Sequence, residues 1–320
     1  MNERDAGKLK EKFGRLFKNH GQNFGCLNPE CNSKRPIGSH SISRTFLREI
    51  EENGHVYIYH KNSENPDFHV PEPSSRASKF KGFCSRCDNS LFQPFEKQSL
   101  QLTKEHLFLL AFRSIAKEYH TKRSIVEFYE HEVPAACRVG LHIQQELVRF
   151  SYMKRMYEEA CTALTNRNYG VFSHQVFIFQ GSPVYLASSI MMPDILPSNR
   201  RVQIANWQPF VVNWIPFQNK LTCIIGYSKA GAQKPKKFCS AFKNLDPAHV
   251  CLAQLVMTLD NIENIVFKPS FLDSLTNFEK RYLHKVFFGF TDPLSLLTYP
   301  KFGKFGHFGI LPKLCDVTCI

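Results

Sequence analysis

A chain of 320 residues, 43% hydrophobic and 13% aromatic, holds enough apolar side chain for one large core or two ordinary ones, so it reads as globular. Its 41 lysines and arginines against 28 acidic residues leave a formal charge of +13, a field that concentrates polyanions and makes nucleic acid, DNA or RNA, the expected partner. No stretch approaches the roughly 18 uninterrupted apolar residues of a membrane helix, and the charged first twenty residues do not make a secretory signal; a cytoplasmic protein with no membrane partner is expected.

In chain order, residues 1–22 form a basic N-terminal segment, and residues 23–100 carry two short cysteine pairs, Cys26-x4-Cys31 and Cys84-x2-Cys87. Each pair sits among turn formers: Gly25, Asn28 and Pro29 around the first, Gly82 and Ser85 around the second. In a reducing compartment close pairs of this kind read as metal ligands rather than disulfides. Two knuckles can point four thiolates at one tetrahedral ion, which suits Zn2+, and four protein ligands leave no open position, so the zinc is structural. The other seven cysteines, Cys137, Cys161, Cys223, Cys239, Cys251, Cys315 and Cys319, lie in apolar context without close partners and read as reduced core thiols.

Between the pairs runs IGSHSISRTFLREIEENGHVYIY, with His40 after a Gly-Ser turn, a short helix from about Arg44 to Glu52, and the strand HVYIY; after the second pair comes DNSLFQPFEK. Over roughly residues 24 to 98 this arrangement resembles the zinc-stapled branch of the His-Asn-His (HNH) nucleases. The resemblance implies a treble-clef-like ββα unit, with His40 as the general base that activates water and Asp88, just after Cys87, as a ligand of a catalytic Mg2+ or Mn2+ ion. Ser39 stands where that family has an acidic residue or His, and Lys79 where it has Asn. Glu96 is a candidate for the missing ligand. Lys34, Arg35, Arg44, Arg48, Arg76, Lys79, Lys81 and Arg86 crowd the same segment; Arg35, Arg44, Lys79, Lys81 and Arg86 are the nucleic-acid-binding candidates, suited to sequence-independent phosphate contact.

From Leu102 the pattern turns helical. LTKEHLFLLAFRSIAKEYHTKRSIVEFYE places Leu107, Leu110, Ala111, Ile115 and Ala116 on one face behind a Thr103 cap, and a second helix spans about Ile143 to Leu164, so residues 101–168 form a helical segment. Residues 169–320 read as an α+β C-terminal domain. Its apolar runs VFSHQVFIF, VYLASSIMM, FVVNWIPF and LTCIIGYS, separated by turn residues, predict an antiparallel sheet, and helical spacing returns at about His249 to Leu259 and in TNFEKRYLHKVFFGF. The final Gly-, Lys- and Phe-rich stretch reads as irregular. No Gly-rich phosphate loop or GxSxG turn appears, so nothing supports ATP use or a serine nucleophile.

Two functions fit. One is a metal-dependent phosphodiester hydrolase; bacterial proteins that fuse a compact nuclease unit to an unfamiliar domain resemble anti-phage defence effectors. The other is a non-catalytic, zinc-stabilised module that binds nucleic acid or protein.

Overall fold

The computed structural model describes residues 24–59, 69–97, 99–134, 141–192, 208–243, 245, 247–262, 264–287 and 313–320. The basic segment 1–22, Cys137 and most of the Gly-, Lys- and Phe-rich stretch before residue 313 lie outside them.

The fold is α+β, and its described residues contain eight helices and an antiparallel eight-stranded sheet. The N-terminal part contributes β1 (Ile37–His40), α1 (Arg44–Leu47), β2 (His55–Tyr59), β3 (His69–Pro73), β4 (Lys79–Phe83) and α2 (Ser85–Glu96). The long helices α3 (Lys104–Glu132) and α4 (Leu141–Thr165) follow, then β5 (Phe172–Gln180), β6 (Tyr185–Met191), β7 (Phe210–Phe217) and β8 (Lys220–Ser228). The chain continues through α5 (Gln233–Lys243), α6 (Pro247–Asn261), β9 (Ile265–Phe267), α7 (Pro269–Ser274), α8 (Asn277–Phe287) and β10 (Lys313–Cys319).

The large sheet runs in the order β10-β5-β8-β7-β6-β9-β2-β3, and β1 and β4 form a separate antiparallel pair. The sheet crosses the boundary expected near residue 100: β2, from the cysteine-bearing segment, pairs with β9, Tyr57 opposite Phe267 and Ile58 opposite Val266. Two segments that read as separate in sequence therefore share one sheet.

Both faces of that sheet are covered. Phe210, Val212 and Trp214 of β7 face a core shared with α5, α6 and α8, while Val211 and Ile215 face one shared with α3, α4 and the cysteine-bearing segment. Double coverage explains why β6 is buried at every position and why these strands are apolar runs rather than alternating ones. At the β7–β8 hairpin the two turn residues, Gln218 and Asn219, both have positive φ (51° and 59°), the twist that matches a two-residue turn to its strands. Thr103 caps α3 as expected, its hydroxyl accepting from the His106 N–H at 3.3 Å.

Several expectations are corrected. Gly38 and Ser39 lie in strand β1 rather than a turn, because their backbone pairs with β4. The helix expected to Glu52 is regular only to Leu47. Cys223, Cys239 and Cys251 are buried core thiols and Cys161 is half-buried, but Cys315 and Cys319 are exposed because β10 is an edge strand.

Candidate functional site

The first knuckle is built by backbone hydrogen bonds: Cys26 N–H to the Ser33 carbonyl at 2.8 Å, Cys31 N–H to the Asn28 carbonyl at 3.0 Å, and Leu27 N–H to the Gly82 carbonyl of β4 at 2.7 Å. Gly82 is required there, since a Cβ would come within 2.1 Å of the Phe80 ring lying across the strand. The second pair straddles the start of α2, with Cys84 at the cap and Cys87 in the first turn.

All four sulfurs of Cys26, Cys31, Cys84 and Cys87 lie within 4.8 Å of one another, and this is the only such group of three or more His, Cys, Asp or Glu residues among the described residues. A tetrahedron with metal–sulfur bonds of about 2.3 Å puts sulfurs about 3.8 Å apart; Cys31 and Cys84 stand at 3.8 Å. Donors surround the sulfurs as thiolates require: Cys84 N–H to Cys26 at 3.3 Å, Asn28 Nδ2 to Cys87 at 3.2 Å, and Arg86 Nη2 to Cys31 at 3.8 Å. The cluster can hold a metal ion such as zinc. As free thiols the four are unequal: a backbone hydrogen bond from Ser33 holds Cys31 down at about 7, whereas burial pushes Cys26 up to about 12.

The pair β1–β4 and helix α2 set the second group of candidates around His40, which faces Lys79 across the pair. Ser78, at φ 58°, turns the chain ahead of β4 so that two carbonyls face β1. The Ala77 carbonyl accepts from His40 Nδ1 at 3.0 Å, and the Ser78 carbonyl accepts from the Ser41 N–H at 3.0 Å. A carbonyl only accepts, so Nδ1 carries the proton and Nε2 is left as the basic nitrogen. Burial chiefly lowers the His40 pKa below its ordinary value, outweighing the Ala77 bond, and the charges of Lys79, Arg113 and Arg44 lower it further. The ring is therefore neutral at pH 7.

Asp88 and Glu96 come together around a residue the sequence reading passed over. Arg113 of α3, its side chain only 2% exposed, donates from Nη1 to Glu96 Oε1 at 2.7 Å and approaches Asp88 Oδ1 with Nη2 at 3.4 Å. Its guanidinium also lies 3.9 Å from the centroid of the Phe92 ring. Asp88 and Glu96 lie eight positions apart on α2, and both carboxylates are turned onto the one guanidinium, so the cation that holds them together is Arg113 itself. Ser39 is 1% exposed, and its hydroxyl has no partner among the described residues, so it is turned away from His40's surface.

Of the expected phosphate-binding residues, Arg35, Arg44, Lys79 and Arg86 are exposed and Lys81 is half-buried; Arg86 also donates to the cysteine cluster. The missed Arg113 had one sequence signal: it is the lone charge in LFLLAFRSIA, the most apolar stretch of α3.

Behind β1, Asn264 Nδ2 donates to Ser41 Oγ at 2.9 Å and to the Ser188 carbonyl at 2.7 Å. The Ser188 hydroxyl bonds Ser114 at 2.8 Å, and Ser114 donates to Asn213 Oδ1 at 2.8 Å. A continuous polar chain thus ties the strand bearing His40 to the large sheet and to the residue next to Arg113.

Comparison with known proteins finds no matching family model, no similar curated protein and no similar solved structure.

Proposed function

We propose that this protein binds nucleic acid over β1 and β4 and hydrolyses its phosphodiester backbone, with Zn2+ closing the four-cysteine cluster as a structural ion. The observation that carries the reading is the state of His40: Nδ1 committed to the Ala77 carbonyl, Nε2 left basic, and the ring kept neutral by burial. In the step proposed, Nε2 takes a proton from water as the water oxygen bonds to phosphorus, and the opposite P–O bond breaks, its oxygen leaving with a proton from solvent. Lys79 and Arg44, the exposed cations whose charges reach His40, offset the phosphate charge. The HNH resemblance supports the same role for His40. The Mg2+ or Mn2+ ion it implies would need donors beyond the Asp88–Glu96 pair.

A second reading, a zinc-stabilised binding module without catalysis, is favoured by Arg113, which already neutralises both carboxylates, and by Ser39, which is buried.

One experiment separates the two readings: cleavage of plasmid, linear duplex and single-stranded RNA by zinc-loaded protein with magnesium, with manganese, or with a weak chelator, alongside His40→Ala at equal zinc content. Cleavage that His40→Ala abolishes is expected. Its rate should be constant above pH 6.5 and fall as pH drops through the lowered His40 pKa, because protonated Nε2 accepts nothing. Binding without cleavage in any condition would instead establish the second reading.

A further inference from the structure

Helix α5 is not among the elements expected from the sequence; Pro235 falls in its first turn, where the missing N–H costs nothing. Its inner side is apolar: Phe238 meets Phe210 at 4.8 Å and Phe242 meets Phe177 at 6.4 Å between ring centroids, on the sheet face opposite the cysteine cluster. Gln233, Lys236, Lys237, Ser240 and Lys243 recur at helical spacing on the outer side, and all five are exposed. Residues 229–243 contain Lys229, Lys234, Lys236, Lys237 and Lys243 and no acidic residue.

Several cations on α3 and α4 are matched: Lys117 pairs with Glu118, Lys122 and Arg149 with Glu146, Arg123 with Glu127, and Lys154 with Glu158. Lys229, Lys236, Lys237 and Lys243 have no carboxylate partner among the described residues. Burial chiefly lowers the pKa of the Lys234 amine, and the charge of Lys237 adds to the effect. A solvated helix face gains by interspersing acids among its lysines; this one carries unopposed charge flanked by the amide and hydroxyl of Gln233 and Ser240.

We propose that the outer face of α5 is a second nucleic-acid contact surface, which grips the sugar-phosphate backbone without reading sequence. Lysine ammonium groups neutralise phosphates, and Gln233 and Ser240 supply the neutral hydrogen bonds that position a backbone. The rigid inner face holds these groups on a line about 15 Å long, its lysines over about 10 Å of it, enough for two or three successive phosphates of one strand. Because α5 and His40 lie on opposite sides of the sheet, this surface holds a segment of nucleic acid other than the one at His40.

The test is fluorescence anisotropy with labelled duplex DNA and single-stranded RNA at a series of salt concentrations. All proteins carry His40→Ala, so cleavage neither contributes nor confuses. Replacing Lys236, Lys237 and Lys243 together with glutamine should weaken binding about tenfold or more at low salt and reduce the slope of log affinity against log salt by about 2 to 3. The triple replacement by arginine should retain both. All three side chains are exposed, so an unchanged thermal melt is expected and certifies the fold. Affinity and slope equal to the parent's would overturn the proposal. So would loss of binding confined to anionic phosphatidylserine vesicles, which would make α5 a membrane-surface contact.

Discussion

Arg113 places a permanent charge where water scarcely reaches, and its two carboxylates with the Phe92 ring make that tolerable. Arg113→Met should strand Asp88 and Glu96 and cost about 3 kcal/mol in urea unfolding. Arg113→Lys should recover only part of this, because an ammonium cannot span two carboxylates; full recovery would mean charge alone matters. What is local was legible in the sequence: the cysteine knuckles announce themselves by spacing, and their four sulfurs come together; the role of His40 rests on a resemblance and stays a proposal. Arg113 was not legible, because its partners lie 17 and 25 positions away and helical periodicity accommodates it without comment. Ser39 was legible as a departure from the HNH pattern, but its burial follows from strand β1, which the Gly-Ser pair concealed.

At the scale of elements, α2 begins on the cysteine cluster and ends on Arg113, so the cluster and the Arg113 ion pairs share one rigid part. Cys84→Ser should therefore both abolish stoichiometric zinc, counted by native mass spectrometry, and lower the melting temperature, whereas a chelator should shift wild type but not the variant. A variant that still retains one zinc per chain would remove Cys84 from the ligand set. Long elements were readable, since α3 runs for 29 residues behind its Thr103 cap, although residues 106–116 are buried on every side and not on one face alone. Of the short ones, β2 was expected as the strand HVYIY, but β4 and β9 were not. β9 has three residues and exists because β2 and β6 flank it, and β4 is a strand because Phe80 folds over Gly82 and β1 supplies its partner. The lysine-rich sequence of α5 hides the helix until its phenylalanines find the sheet.

The whole molecule is held by contacts between its layers, and His174 lies in one of them. It sits on β5 opposite Gly226, where a Cβ would come within 3.0 Å of its ring and 3.7 Å of Ala111 Cβ on α3. Neither ring nitrogen has a partner among the described residues, and burial pushes its pKa down to about 4. The unfolded chain, with His near 6.5, binds the proton more readily. The stability from a neutral His174 is thus complete above pH 6.5, falls as pH drops from 6.5 toward 4, and is gone below. Between pH 7.5 and 5 wild type should lose about 2 kcal/mol more than His174→Leu, and equal losses would show that His174 is not buried neutral. Antiparallel α+β architecture was legible in the alternation of apolar runs and turn residues, but the merging of the two ends of the chain was not, because hydrogen bonds between strands leave no periodicity behind. That merging has a consequence for synthesis. Tyr57 pairs with Phe267, so β2 leaves the ribosome long before its partner exists; at 5 to 20 residues per second the delay is roughly 10 to 40 s. During that interval the cysteine knuckles can close on a metal, but the hairpin beside them stays an open edge, and translation must run to the last quarter of the chain before it is covered.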